Sequence, residues 1–405
     1  MERHELPFPA HNDYSICRYL QRIWEAGWLD EYSENHFIIK ALENTLESFV
    51  GCTQMLNNDP NMHGLIKDSG IFDNTSFNLN FCMNLSGRLE YLDKVFGGNH
   101  IERFIKDQLS AGKAAYNEDT FFEALSELCI LYFYACRSSW KQALYEPPVS
   151  DTNSRKNPEA KFVGTMSTDN GMCDFTINIE VKCPKFPEYN DCGEKIAIPT
   201  VLLSSEGRRV IPEFCKENEI RFISPRVMKL KDFLNSAANK FTVPKPNEYN
   251  LLYINWSYCD FPSNSYLEAW SLLTNTINGI LTHPDAAQSI GVSPDVFTKI
   301  SAVIVYTEAL EGLMFLDFRF VWQTHRCGPR FRMWILDDDL RTAEMEHESN
   351  DLFEITGMQP DNELTQMVMV DFKSKTETEE VINAKLGCDL VHLIKQHTED
   401  YGNSI

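Results

Sequence analysis

The apolar residues of this chain change their spacing near residue 145, and the change limits the folds open to it. Before that point they recur every three or four positions, as in ICRYLQRIWEAGWL and in a long predicted helix from Glu118 to Ala143. Beyond it, alternating or continuous apolar segments predict strands at 161–168, 172–184, 250–257 and 299–307, interleaved with helical patterns at 226–241 and 263–281. This order predicts an α/β (α+β) fold, a mixed sheet flanked by helices behind a helical N-terminal region.

The 405 residues divide into three predicted regions. Residues 1–115 form the helical N-terminal region, 116–335 the α/β core and 336–405 an acidic C-terminal segment. The net charge of −22 disfavours a protein that coats nucleic acid. Acidic residues are concentrated after Asp337, whereas basic and acidic residues nearly balance over 154–241, so a local basic groove is compatible with the sequence.

Cysteine usage and hydropathy predict the compartment. The twelve cysteines form no CxxC pair, which favours free thiols in a reducing cytoplasm. A zinc site built from Cys183, Cys192 and Cys215 is a less favoured alternative. The chain has no signal-peptide pattern at its start and no apolar run of about eighteen residues, so we expect no contact with a membrane.

The segment CDFTINIEVKCP places three charged residues inside an apolar strand pattern. Strand side chains alternate, so Glu180 and Lys182 point to the same face. Carboxylates are the ligands that Mg²⁺ prefers, and two of them suffice to hold the ion against a phosphate. Asp174 and Glu180 are therefore candidate metal ligands, and Lys182 is a candidate for orienting the attacking water. The alternative interpretation is a solvated outer face of the strand.

The spacing of the two acids requires a turn. On a straight strand, six residues at about 3.3 Å each would separate Asp174 from Glu180 by roughly 20 Å, too far to share one ion. A reversal at Ile177–Asn178 would bring the two acids together, although isoleucine is a poor residue for such a turn. Asp169 is the reserve candidate, but its Asp-Asn-Gly context predicts a hairpin turn.

The pattern resembles the PD-(D/E)XK, or restriction-endonuclease-like, nuclease superfamily. The resemblance covers roughly Glu118 to Thr307 and rests on SELCILYF, MCDF, IEVK, KLKDFLNSAANKF and NLLYINWS. It implies a helix, a hairpin carrying the acids, a second helix and a further strand. It also implies a Mg²⁺ or Mn²⁺ cofactor, a third acid at Glu127, and a phosphate contact from Lys240 with Lys229 behind it. Cys173 departs from the proline in the family name.

These expectations support two functional hypotheses. The first is a cytoplasmic, metal-dependent nuclease that cuts DNA in preference to RNA, with defence against foreign DNA as a family-level expectation. The chain has no GxxxxGK[ST] motif, so we expect it to act alone, as a homo-oligomer or with a protein partner. The second hypothesis is a catalytically inactive binding protein with the nuclease fold, or an acidic protein that mimics DNA.

Overall fold

The computed structural model describes most of the chain. The described ranges are 17–43, 71–137, 140–148, 157–168, 171–184, 194–199, 204–223, 227–256, 265–274, 279–307, 330–337, 367–372, 385–386 and 388–397. Asp169, Cys192 and most of residues 336–405 lie outside these ranges.

Six of the described strands form one mixed sheet in the order β1-β2-β3-β6-β7-β8. The strands are β1 (Gln142–Tyr145), β2 (Ala160–Thr168), β3 (Gly171–Lys182), β6 (Glu248–Asn255), β7 (Ala302–Thr307) and β8 (Arg330–Ile335). The pairs β1–β2, β2–β3 and β7–β8 are antiparallel, whereas β3–β6 and β6–β7 are parallel. The predicted α/β class with a mixed sheet is confirmed.

Helices cover both faces of this sheet. The helices of the described ranges include α1 (Arg18–Glu25), α2 (Ile71–Phe96), α3 (His100–Arg103), α4 (Glu118–Arg137), α5 (Ser205–Glu217), α6 (Val227–Lys240), α7 (Ser265–Thr274), α8 (Pro284–Ser289) and α9 (Val296–Lys299). Helix α5 belongs instead to a small apolar cluster with Leu390. A π-helical segment, Phe104–Leu109, continues α3, and Lys113–Ala115 forms a 3-10 turn. Residues 37–43 and 388–397 are also helical.

Two apolar cores lie on opposite faces of the sheet. The first core joins α1, α2 and α4 to the alternate residues Phe175, Ile177, Ile179 and Val181 of β3. The second core joins α6 and α7 to Leu252 and the other inward residues of β6 and β7. The central strand β6 is therefore buried on both sides, which explains its nearly continuous apolar sequence.

A smaller sheet uses part of the acidic C-terminal segment. Strand β9 (Met367–Phe372) lies between β4 (Glu194–Pro199) and β5 (Arg221–Ile223), antiparallel to both. Leu390 in the helix at 388–397 is fully buried against Ile211 and Cys215. Ser204 caps α5 by accepting a hydrogen bond from the Gly207 N–H, and its hydroxyl lies 3.0 Å from Nδ1 of His397.

The structure departs from the predicted helix that ends at Ala143. Helix α4 ends at Arg137, and Gln142–Tyr145 form the edge strand β1 instead. The Lys141 N–H donates to the Val163 carbonyl, and the short edge strand continues this pairing along β2. Four residues on a sheet edge carry too little periodicity to outweigh the helical pattern before them.

The β2–β3 hairpin is confirmed. Thr168 pairs with Gly171, and Gly171 has a φ of 106°, which glycine adopts without steric cost. The cysteines of the described ranges are joined by no disulfide bond, in agreement with the predicted thiols. Within the same ranges, no helix is both long and apolar enough to cross a membrane.

Candidate active site

Glu180 and Lys182 lie on the α6 side of β3. Their sheet neighbours on β6 are Leu252 and Ile254, which belong to the core beneath α6. The Glu180 side chain is fully buried, and the Lys182 ammonium lies 2.5 Å from its Oε1. The predicted common face of this pair is therefore observed, and it faces the interior rather than solvent.

The predicted reversal at Ile177–Asn178 is wrong. Strand β3 runs without interruption from Gly171 to Lys182 and pairs on both sides. Ile177 is buried in the first core, and Asn178 donates to the side-chain oxygens of Glu248 and Asn250 on β6. Pairing with two neighbouring strands holds both residues extended, so neither is free to form a turn.

Asp174 is consequently separated from Glu180. It lies roughly 20 Å along the strand, at about 3.3 Å per residue. Its side chain is 59% exposed, forms an ion pair with Lys141, and accepts a hydrogen bond from Thr165. The bond from Lys141 is the main cause of the lowered pKa of Asp174. The geometry that would let Asp174 and Glu180 share one metal ion is absent along this continuous strand.

Glu159 occupies the place that was predicted for Asp174. Ala160 is opposite Ile179 in the hairpin, so one further step of the register places Glu159 opposite Glu180. The Glu159 N–H donates to the Ile179 carbonyl at 2.9 Å, which fixes the backbone there. Sequence reasoning missed this residue, although a usable signal was present. Counting back along the predicted hairpin from its turn leads to Pro158 and Glu159, immediately before β2.

The ammonium of Lys240 joins the two glutamates. Its Nζ lies 3.0 Å from Oε1 of Glu159 and 2.8 Å from Oε1 of Glu180. Burial alone would lower the pKa of Lys240, but the charges of Glu159 and Glu180 outweigh burial and raise it. Lys240 is the last residue of α6, so this helix carries its ammonium to the end of the β2–β3 hairpin.

Lys229 is not brought to this cluster. It lies in the first turn of the same helix, eleven residues before Lys240, a distance of roughly 16 Å along the helix axis at about 1.5 Å per residue. Its ammonium lies 5.2 Å from the ring centroid of Phe233. A contact between Lys229 and a phosphate held at Glu180 therefore has no support in the structure.

Glu127 approaches the cluster from α4. It is 7% exposed, and its Oε1 accepts a hydrogen bond of 2.9 Å from the Tyr145 hydroxyl. The amide of Gln108 donates in turn to that hydroxyl at 2.8 Å. Burial, and then the charge of Glu159, raise the pKa of Glu127 well above its ordinary value.

The negative charge of Glu159 thus raises the pKa of both Glu127 and Glu180. Burial raises the pKa of Glu180 to about 7, and the charge of Glu159 adds to this effect. Oε1 of Glu180 forms ion pairs with two ammonium groups, and neither of its buried carboxylate oxygens has a partner with hydrogen-bond geometry among the residues that the structure describes. A buried carboxylate oxygen without a partner is costly and is found where a proton, an ion or a ligand is accommodated.

The carboxylates of Glu159 and Glu180 are suitable ligands for a divalent cation, although the Lys240 ammonium lies between them. Mg²⁺ is commonly held by one or two carboxylates and keeps several waters, so Glu159 and Glu180 fit that chemistry. Within the described ranges, no three His, Cys, Asp or Glu side chains form a group that could hold a metal ion. Cys183 and Cys215, which were considered for a zinc site, therefore belong to no such group. The Lys240 ammonium lies between the two carboxylates that a cation would use.

Comparison with known proteins does not assign the chain to a family. No protein-family model matches the chain, and no curated protein or solved structure matches it either.

Proposed function

We propose that this protein is a metal-dependent nuclease that hydrolyses phosphodiester bonds, with DNA as the favoured substrate. One observation carries the proposal. Glu159 and Glu180, on the two arms of one hairpin, converge on a buried site that also contains Lys182. Two carboxylates with an adjacent ammonium form a suitable set for binding a hard cation and orienting a water beside a phosphate.

The order of elements supports a restriction-endonuclease-like core. The resemblance implies a helix, a hairpin, a second helix and a further strand. The chain follows that order through α4, β2–β3, α6 and β6, with β6 parallel to β3 and the two helices packed into opposite cores. The smaller sheet strands β4 and β5 and helix α5 are inserted between β3 and α6.

The residues of the site have separable roles in this proposal. Glu159 and Glu180 would hold Mg²⁺ or Mn²⁺, in place of the predicted pair Asp174 and Glu180. Such an ion lowers the pKa of a bound water and neutralises charge on phosphate oxygens. Lys182 positions the attacking water or steadies the phosphate. Glu127, held by Tyr145, assists the ion or its bound waters.

Plasmid cleavage by the purified chain with Mg²⁺ or Mn²⁺ tests the proposal. We expect Glu159→Gln, Glu180→Gln and Lys182→Met each to reduce cleavage about a hundredfold or more, since each removes a group acting at the reacting centre. Asp174→Asn is the matched control, because it also removes a carboxylate from the hairpin and should keep wild-type activity. Circular dichroism checks that each variant is folded, and an RNA substrate in parallel decides between the two nucleic acids.

Two results would contradict the proposal. One is metal-dependent cleavage that survives both glutamate substitutions in folded protein. The other is the absence of cleavage with either metal combined with tight binding to a basic protein, which would favour the inactive or DNA-mimicking alternative.

A further inference from the structure

We infer that Lys240 is an internal counter-cation, whose ammonium closes the site between Glu159 and Glu180 and must leave before a divalent cation binds. The inference rests on the proposed function for the identity of the site. It gives Lys240 a role in addition to the phosphate contact that the resemblance implied.

The contacts of Lys240 are those of a buried counter-ion. Its side chain is 13% exposed, as is that of Glu159, and the Glu180 side chain is fully buried. Two carboxylates this close together repel each other strongly when they are shielded from water. The ammonium lies within 3.0 Å of both and offsets that repulsion.

A divalent cation and this ammonium compete for the same oxygens. Mg²⁺ binds carboxylate oxygen at about 2.0–2.1 Å and demands near-octahedral geometry, which leaves no space for an ammonium between the same two groups. The two cations would also repel each other at such short range. Oε2 of Glu180, which has no hydrogen-bond partner within the described ranges, remains available as an additional cation ligand.

Release of Lys240 would couple metal binding to phosphate binding. Lysine carries its charge on a flexible four-carbon stem, and Lys240 lies at the very end of α6. Once a metal ion replaces it, its ammonium is free to contact a phosphate beside the site. Without metal, Lys240 and Lys182 together neutralise the two carboxylates, and Lys240 is the ammonium that contacts both. When metal binds, the site gains the freed ammonium of Lys240.

Direct metal binding tests this inference independently of cleavage. Mn²⁺ is titrated calorimetrically at about pH 8.5, because a carboxylate must lose its proton before it binds metal. The titrated proteins are wild type, Lys240→Met, Lys240→Gln, Lys240→Arg and Lys229→Met. We expect the Met and Gln variants at position 240 to bind Mn²⁺ about tenfold more tightly, because they lack the competing charge. Lys240→Arg keeps that charge, and Lys229→Met removes a charge from the distant end of α6, so both should bind as wild type does.

A measurement on the wild-type protein avoids dependence on variants that fail to fold. Acetylation of lysine amines is followed by mass spectrometry with and without Mn²⁺. We expect Mn²⁺ to increase the modification of Lys240 several-fold and to leave that of Lys229 unchanged.

The outcomes separate this inference from the proposed nuclease. Unchanged or weaker Mn²⁺ binding in folded Lys240→Met and Lys240→Gln, or unchanged Lys240 reactivity at saturating Mn²⁺, overturns the counter-cation role even if the wild type cleaves DNA. Tighter binding in those variants without cleavage by any form supports the counter-cation and rejects the nuclease. An absence of Mn²⁺ binding in every form rejects both.

Discussion

A buried carboxylate such as that of Glu180 holds its proton more tightly than a solvated one, and this affects any cation that binds there. Its neighbour Glu159 adds to the effect, whereas Lys182 and Lys240 oppose it. The resulting pKa of about 7 lies within the range in which a nuclease would be assayed. The same features that make the site unfavourable for a lone charge make it favourable for a divalent ion.

We therefore expect Mn²⁺ affinity to depend on pH. Only the ionised carboxylate binds the ion, so affinity should fall about tenfold per pH unit below about pH 7 and level off above it. Calorimetric titrations between about pH 5.5 and 8.5 measure this dependence. Asp174 has a lowered pKa, so a metal held there would bind with constant affinity over the range, and that result would contradict the assignment to Glu180.

His36 is another residue whose pKa is shifted. It is far from the candidate site in sequence, and its role is structural. It is fully buried, its Nε2 lies 3.0 Å from the Leu109 carbonyl, and its Nδ1 accepts from the Ile38 N–H. Burial lowers the pKa of His36 to about 4 from 6.5. The ring is therefore neutral in the folded protein and joins the N-terminal region to the end of the π-helical segment.

We expect the free energy of unfolding to depend on pH through the titration of His36. The unfolded chain takes up a proton near pH 6.5 and the folded chain near pH 4, so the stabilisation is complete above 6.5 and is lost as the pH falls towards 4. After allowance for solvent screening the loss is about 2 kcal/mol. Urea unfolding of wild type and His36→Gln measures it, and the difference between the two proteins should shrink by this amount over that interval. A constant difference would show that His36 does not titrate on unfolding.

Among the elements, β3 shows how pairing overrides local residue preference. Its charged residues Asp174 and Lys182 lie near its two ends, and its centre is buried on both faces. The hairpin also depends on a glycine in β2. A Cβ on Gly164 would lie 2.7 Å from the ring of Phe175, which is 4% exposed, and 3.1 Å from Trp140. Phe175 can pack across β2 only because that position has no side chain.

Two glycine substitutions should consequently have opposite effects on stability. Gly164→Ala forces Phe175 to move and should lower the free energy of unfolding by about 1–3 kcal/mol. Gly87→Ala is the matched control in α2, where nothing lies within 4 Å of the added carbon, and should raise stability by about 0.5–1 kcal/mol. Urea unfolding curves measure both effects. Equal effects of the two substitutions would contradict the packing described for Phe175.

For the molecule as a whole, the first apolar core crosses the predicted boundary at residue 115. Residues of α1 and α2, such as Leu20 and Leu89, belong to the same core as Ile177 of β3. The boundaries at 115 and 335 stay predictions, but the described residues on either side of the first one pack together. Strand β9 likewise places part of the acidic segment between β4 and β5.

Removal of residues 1–115 tests the independence of the predicted core. Each large apolar side chain left exposed costs about 1.5–3 kcal/mol, and a typical protein has only about 5–15 kcal/mol of stability. We expect residues 116–405 to aggregate or to unfold without a cooperative transition, whereas the full chain unfolds cooperatively in a calorimeter. A soluble 116–405 fragment with a sharp transition would instead support a separate core domain.

Local sequence was sufficient to predict much of the framework. Alternation predicted β3 and the shared face of Glu180 and Lys182, and Asp169-Asn170-Gly171 predicted the hairpin, because side-chain period and turn chemistry depend on adjacent residues. The edge strand β1 escaped prediction, since its formation depends on the hydrogen bonds offered by β2.

The membership of the site depended on contacts between residues distant in the chain. Asp174 and Glu180 are close in sequence but separated by the extended backbone, whereas Glu159 and Lys240 reach Glu180 through strand register and helix packing. A sheet brings together residues that are far apart along the chain and separates those along one strand. Periodicity therefore predicted which face of β3 bears the charges, and the hairpin register and the docking of α6 selected which acid and which lysine join them.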